Sequence, residues 1–356
     1  MSDPVPAPVI TTIIPTYRRP KLLRRAIHSV LNQSFPDLQA CVYDNASGDE
    51  TASVVQDIAR SDPRVKYHCH TTNIGAFMNF LYGTKCVDTP FFSFLSDDDF
   101  LLPEFYREAL MGFNKHPEAM FSATTVVDMY KEGHISGIPL WNWAPGLYRP
   151  PAGLVAMLKH YPPGLTGILF RREVTEKVGL FDEEVGLPSD MDFELRIAAH
   201  WPFVISLQPG AVFWLDPLNT SISARFHTLW PGWLKMIHNI VDDEEIPRAV
   251  RGMAETVLMR WLGRRVLSDA LKSIRQRNWA EVYEMAQILR TRCGRKTWAA
   301  LLGNIAMICE HFPPARSFGL SLFELRKLVA RGKTWRLEKD LRTYALQLER
   351  PRTGLA

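Results

Sequence analysis

From Val9 to about residue 130, short and nearly unbroken apolar runs alternate with longer stretches whose apolar residues recur every three or four positions. The runs Val9–Ile14, Leu38–Tyr43, Val65–His68 and Pro90–Leu95 predict strands. Pro20–Asn32 predicts a helix with Leu22, Leu23, Ala26, Ile27 and Val30 on one face, and Asp49–Arg60 and Ala76–Lys85 predict two more. Strands alternating with helices of this length predict βαβ units on a mostly parallel α/β sheet. Continuous apolar strands are what a sheet covered on both faces requires. Residues 130–165 are rich in Trp, Pro and Gly and read as an irregular segment that could line an acceptor cleft. Leu165–Phe170 reads as a strand and Glu173–Val178 as a short helix. A helix opens at Pro188-Ser189-Asp190 and runs to about His200, and Phe203–Leu207 and Ala211–Leu215 read as closing strands. From about residue 228 the pattern is helical, so the chain divides into 1–227 and 228–356.

Ligands of open α/β sheets bind beyond the carboxyl ends of the strands. Four successive strand ends carry polar residues here: Pro15-Thr16-Tyr17-Arg18, then Asp44 to Asp49, then Asn73 and Gly75, then Ser96 to Asp99. That clustering on one rim predicts a site.

Composition adds an asymmetry. The chain has 356 residues, 46% of them hydrophobic, with a net charge of +4. From Ile246 onward there are 22 Lys+Arg against 9 Asp+Glu, whereas the rest carries 20 against 29. An acidic body followed by a basic, helical region suggests two functional parts. Its later stretch, Glu324 to Arg352, reads as a basic amphipathic segment suited either to an anionic membrane surface or to a solvated face. No nucleic-acid motif accompanies the charge, so nucleic acid is not an expected partner. Five scattered cysteines form no CxxC pair, which argues against a disulfide framework or a structural zinc site. With no basic, apolar leader and no run of about 20 apolar residues, the expected location is cytoplasmic, at the inner face of the membrane if the basic region docks there.

The strongest chemical signal is FFSFLSDDDFLLPEF, an apolar strand ending in Asp97, Asp98 and Asp99. Three adjacent carboxylates repel one another. Mg²⁺ or Mn²⁺ would compensate them and keep positions open for phosphate oxygens; a solvated acidic turn is the plainer alternative. Asp44 within DNASGD also suits an Asx turn, and Tyr17 and Arg18 also suit ordinary loop packing. In Ser189-Asp190-Met191-Asp192, Ser189 can cap the helix with Asp192 three residues on. Asp190 then sits in the first turn, where it could face a cleft.

In order and spacing, IIPTYRRPKLLRRAIHSVLNQSF, VYDNASGDET, NIGAFMNF, FLSDDDFLLP and VGLFDEEVGLPSDMDFELRIA resemble a family 2 glycosyltransferase of the GT-A fold over roughly residues 9–225. The resemblance implies a nucleotide-sugar donor, usually a UDP-sugar, and a carbohydrate or lipid-linked acceptor. Pro15, Thr16, Tyr17, Arg18 and Asp44 would hold the nucleobase, and Asn73 and Gly75 would border the nucleotide. Asp97 and Asp98 would contact the ribose and support a Mn²⁺ or Mg²⁺ ion, with Asp99 its direct ligand. Asp190 would be the catalytic base, with Asp192 the alternative, in a single displacement with inversion. The neighbourhood after Leu215 would supply a loop closing over the donor, and His227 or Arg225 would reach the metal or diphosphate. Surface polysaccharide or glycoconjugate synthesis is the implied setting. Two other readings compete: a non-catalytic binding protein on the same fold, and a sugar nucleotidyltransferase. The latter would need a Gly-rich, Lys-bearing phosphate loop that PTYRRP is not.

Overall fold

The computed structural model describes residues 9–130, 134–138, 142–215, 226–311, 341, 343 and 344. The chain divides into two compact units, Met1–Ile222 with Glu338–Ala356, and Ser223–Leu337.

The first unit opens as the hydrophobic pattern predicts: β1 (Ile10–Thr16), α1 (Pro20–Leu31), β2 (Leu38–Asp44), α2 (Thr51–Ser61), β3 (Val65–Cys69), α3 (Ala76–Lys85) and β4 (Phe91–Phe94). Every residue of β1 is buried, because helices cover both faces of the sheet at this point. Pro20 stands in the first turn of α1, where its missing N–H costs nothing. Leu23, Ala26, Ile27 and Val30 of α1 pack into the same core as Ile10, Ile14 and Val42.

Beyond β4 follow β5 (Phe100–Leu101), α4 (Phe105–Lys115), β6 (Phe121–Tyr130), β7 (Ile135–Gly137), β8 (Gly146–Tyr148), α5 (Ala152–His160), a 3₁₀ turn Leu165–Gly167, β9 (Ile168–Arg171), α6 (Val174–Lys177), α7 (Ser189–His200) and β10 (Phe203–Leu215). The sheet runs β3-β2-β1-β4-β9-β6-β10-β5, with β7 beside β6 and β8 beside β10. The pairs β3–β2, β2–β1, β1–β4 and β6–β10 are parallel. β9 runs antiparallel between β4 and β6. The result is a mostly parallel α/β sheet flanked by helices.

Three differences from the sequence pattern matter for the site. The closing strands are one strand, β10, whose register against β6 shifts around Pro209; a proline without an N–H is accommodated at such an irregularity. The segment read as irregular holds β7, β8 and α5. The 3₁₀ turn presses against β6 so closely that a Cβ on Gly167 would lie 2.6 Å from Val126 Cγ2 and 2.8 Å from the Thr124 carbonyl. Only glycine fits there.

The second unit is helical: α8 (Phe226–Val241), α9 (Arg248–Arg275), α10 (Trp279–Thr291) and α11 (Lys296–His311). Leu258, Leu262 and Val266 of α9 are buried, as are Val282, Met285 and Leu289 of α10. Asn278 caps α10 by accepting from the Glu281 N–H at 3.4 Å. Part of the basic charge is neutralised within α9, where Arg265 and Lys272 pair with Asp269 at 3.1 and 2.9 Å. Among the described residues no helix is long and apolar enough to cross a membrane. Nearly all of the basic stretch Glu324 to Arg352 lies outside the described residues.

Candidate active site

At the carboxyl ends of β1, β2 and β4 the first unit contains a cavity of about 730 Å³. Its wall includes Pro15, Thr16, Tyr17, Asn45, Asn73, Asp97, Asp98 and Asp190. Phe77, Phe80, Phe94, Phe181 and Phe213 supply an apolar lining, a composition usual for sites that bury most of a ligand.

The rim is tied together by neutral side chains. Asn45 accepts from the Ile74 N–H at 2.8 Å and donates to Asn73 Oδ1 at 2.9 Å, and Asn73 Oδ1 also accepts from the Gly75 N–H at 2.9 Å. The Asn45 N–H donates to the Thr16 carbonyl at 3.0 Å. Three strand ends are thus fixed to one another. Gly75 leads into α3 with φ +87°, a left-handed backbone that favours glycine, and it does not line the cavity.

Past β4 the chain turns at Ser96–Asp99, closed by the Asp99 N–H donating to the Ser96 carbonyl at 3.0 Å. The turn sends the three carboxylates to different places. Asp97 accepts from Thr16 Oγ1 at 2.7 Å and from Arg19 Nη1 at 3.2 Å, and Asp98 accepts from the same Arg19 nitrogen at 2.8 Å. Burial, and next the charge of Asp98, push the Asp97 carboxyl up to about 6 against the pull of Arg19. Burial also raises Asp98. Behind the turn, the buried Arg25 of α1 donates to the Asp98 carbonyl and stacks over the ring of Trp214 at 4.4 Å. The compensation that three neighbouring aspartates require therefore comes in part from Arg19 and Arg25, neither of which the motif pattern singled out.

Asp99, the expected direct metal ligand, does not line the cavity. It is 0% exposed. One oxygen accepts from Thr166 Oγ1 and the other from the Trp214 N–H, both at 2.8 Å. Burial raises its carboxyl well above the ordinary range. This carboxylate ties the turn to the 3₁₀ segment and to β10, and Asp97 and Asp98 are the members of the triplet that line the cavity.

Asp44 also points away from the cavity. It is 1% exposed, and it accepts from the Ser47 N–H at 2.9 Å and from Tyr67 Oη at 2.7 Å. This is the Asx-type turn that its sequence context allows, and it is the neighbouring Asn45, not Asp44, that lines the cavity. Arg18 packs locally, its backbone N–H and Nε donating to Ser47 at 2.9 and 3.0 Å and its guanidinium 5.0 Å from the Tyr17 ring.

In α7, Asp190 and not Asp192 meets the cavity. Asp192 is buried and accepts from Arg196 Nε at 2.7 Å. The expected capping pair does not form, because Pro188 occupies the N-cap without a side-chain hydrogen bond and Ser189 begins the helix. Asp190 accepts from the Met191 N–H at 2.7 Å. Enclosure by protein, and the nearby Asp192, raise its carboxyl above the usual range. One turn on, Glu194 is buried and its Oε2 has no hydrogen-bond partner among the described residues.

His227 lies in the first turn of α8, in the second unit, and its side chain is not among those described. Arg225 and residues 216–223 lie outside the described residues. Asp128, which sequence reasoning passed over, lines the cavity; its only signal was a lone carboxylate in the β-branched run TTVVDMY.

Among the described residues no three His, Cys, Asp or Glu side chains form a ready-made metal cage. A hard divalent cation does not need one, since Mg²⁺ ordinarily takes one or two carboxylates and completes its shell with water and substrate phosphate oxygens. Adjacent Asp97 and Asp98 on an open cavity wall fit that donor set.

Residues 11–179 match the family model Glycosyl transferase family 2. A curated relative, GalNAc(5)-diNAcBac-PP-undecaprenol beta-1,3-glucosyltransferase of Campylobacter jejuni, is 35% identical over 130 residues, which cover 36% of this chain and 41% of that protein. The chain therefore matches less than half the length of that relative. Among solved structures, S. aureus TarS 1–349 in complex with UDP-GlcNAc superimposes with a TM-score of 0.62 at 14% identity, covering 83% of this chain and 90% of that one. The mannosyltransferase PcManGT of Pyrobaculum calidifontis, in complex with GDP-Man and Mn²⁺, superimposes with a TM-score of 0.55 at 16% identity, covering 97% and 87%. Both share the fold.

Proposed function

We propose that this protein, whose residues 11–179 match the family model Glycosyl transferase family 2, is an inverting glycosyltransferase. It moves a sugar from a nucleoside diphosphate, most simply UDP, to a carbohydrate hydroxyl. The observation that carries the reading is the meeting of Asp97, Asp98 and Asp190 on one cavity, although more than ninety residues separate the pair from the third. TarS and PcManGT, which share the fold, have structures in complex with nucleotide sugars, and this supports the donor class.

Thr16, Tyr17, Asn45 and Asn73 border the nucleotide. Asp97 and Asp98 would hold a Mn²⁺ or Mg²⁺ ion, which when bound neutralises charge on the departing diphosphate. Arg19, already beside both carboxylates, holds their geometry. Asp190 takes the proton of the acceptor hydroxyl as that oxygen bonds to the anomeric carbon. The carbon–phosphate-oxygen bond breaks, and its electron pair leaves with the nucleoside diphosphate. A raised carboxyl pKa makes Asp190 a stronger proton acceptor than an ordinary aspartate. One displacement at one carbon inverts its configuration.

The Campylobacter relative is named for an undecaprenol-linked substrate. By that analogy the acceptor is lipid-linked, the setting is glycoconjugate synthesis, and the reaction takes place at the cytoplasmic face of a membrane.

The test is calorimetric titration of the full chain with a panel of UDP- and GDP-sugars in Mn²⁺, followed by proton NMR of the product anomer. Binding of one nucleotide sugar and a product of opposite anomeric configuration support the reading. Failure of the whole panel to bind overturns it.

A further inference from the structure

Asp128 sits near the end of β6, and its register partner on the parallel neighbour β10 is Phe213. Both residues line the cavity. On the other side its antiparallel partner is Gly137 of β7. A Cβ placed there would touch Asp128 Oδ2 at 3.6 Å, so glycine leaves that oxygen less covered than any other residue would.

The three carboxylates of the triplet and Asp192 are engaged. Asp97 and Asp98 share Arg19, Asp99 holds Thr166 and Trp214, and Asp192 holds Arg196. Asp128 has no hydrogen bond or ion pair among the described residues. Burial pushes its carboxyl up to about 6, so near neutral pH most molecules carry a half-buried, uncompensated charge. Such a group is costly to keep, and Asp128 is on the wall of the ligand space.

What the Asp128 oxygens can receive is limited by charge. A carboxylate repels a diphosphate, so its ligand is the uncharged part of a nucleotide sugar or of an acceptor. A pyranose fits both neighbours: its C–H face lies against an aromatic ring, and adjacent hydroxyls donate to carboxylate oxygens in charge-assisted O–H···O⁻ bonds. We propose that Asp128 is a specificity-determining residue that accepts hydrogen bonds from the hydroxyls of a sugar ring held against Phe213. The inference rests on the glycosyltransferase reading and adds to it the residue that reads the sugar.

The test uses Asp128→Asn in the full chain, titrated by calorimetry with UDP alone and with the UDP- and GDP-sugar panel in Mn²⁺. A second arm adds methyl glycosides of the same sugars to the UDP-saturated protein and follows them by saturation-transfer NMR. The expected result is UDP affinity unchanged within about twofold and sugar recognition weakened about tenfold or more, the scale of one lost charge-assisted hydrogen bond. Loss confined to the first arm assigns Asp128 to the donor sugar, and loss confined to the second assigns it to the acceptor sugar. Equal sugar binding by variant and wild type overturns the inference and leaves the glycosyltransferase reading standing. A parallel fall in UDP affinity also overturns it, since the residue would then serve the nucleotide site or the fold. A wild type that binds none of the panel ends both.

Discussion

A single guanidinium nitrogen of Arg19 stands 2.8 Å from Asp98, and the same nitrogen reaches Asp97 at 3.2 Å. Burial works against the charge of Arg19, yet the two carboxylates outweigh it and raise its affinity for the proton. Replacing Arg19 with Gln leaves two buried carboxylates without their shared cation. The expected cost is about 1–2 kcal/mol, below the usual figure for a broken buried pair because the side chain is about a third exposed. Urea unfolding in chelator at pH 7 measures it, and an unchanged midpoint would show that solvent already screens the pair.

Neighbouring aspartates of the triplet should behave in opposite ways. Asp98→Asn keeps the turn, whose contact with Arg25 is through the backbone, and is expected to lower transferase turnover by at least about 100-fold with little change in Tm. Asp99→Asn disturbs the bonds from Thr166 and the Trp214 N–H and should cost about 1–3 kcal/mol of stability. Activity assays beside thermal melts separate the two. A fully stable Asp99→Asn would contradict the structural role given to this residue.

Asp190 predicts the acid side of the rate profile. A base works only when deprotonated, and enclosure holds this carboxyl above the ordinary aspartate value of 3.8. The rate should therefore fall as pH drops through a midpoint higher than 3.8. Asp190→Asn should lose about 10²–10⁴-fold in kcat and the acid limb with it, while nucleotide-sugar affinity persists. Normal turnover by this variant removes Asp190 as base.

Glu194 predicts a stability effect separate from catalysis. Burial, and next the charge of Asp190, hold its carboxyl well above 4.5. The folded protein then keeps a proton that the unfolded chain has released, so this group's contribution is present at low pH and is lost as pH rises from the unfolded value toward the folded one. Glu194→Gln escapes that loss. Its advantage over the wild type should grow between pH 5 and 8 by up to about 1.4 kcal/mol per unit. Denaturant midpoints across that range decide it, and a flat difference would mean that the group has an ordinary carboxyl.

The sequence pattern reached the first half of the sheet because β1, β2 and β4 are continuous apolar runs joined by amphipathic helices, and long-range contacts do not alter such elements. It missed β6 and β8, where the strand is specified by partners distant in the chain: β6 is held by β9 and β10, and β8 by β10. The triplet and Asp190 were legible as chemistry, but which of their oxygens remain free was not. That Asp99 and Asp44 turn inward depends on Thr166, Trp214, Tyr67 and Ser47, whose approach is a property of the packed molecule. Arg19 was hidden for a related reason, since a basic residue at the head of a helix does not reveal that two carboxylates lie beside it.

The amide lattice of Asn45 and Asn73 has a consequence for how the cleft responds to its surroundings. Neither side chain gains or loses a proton over the range in which proteins stay folded, and neither is weakened by added salt as an exposed ion pair is. The acids of the cleft change charge with pH, while the amide links between the three strand ends beside them do not.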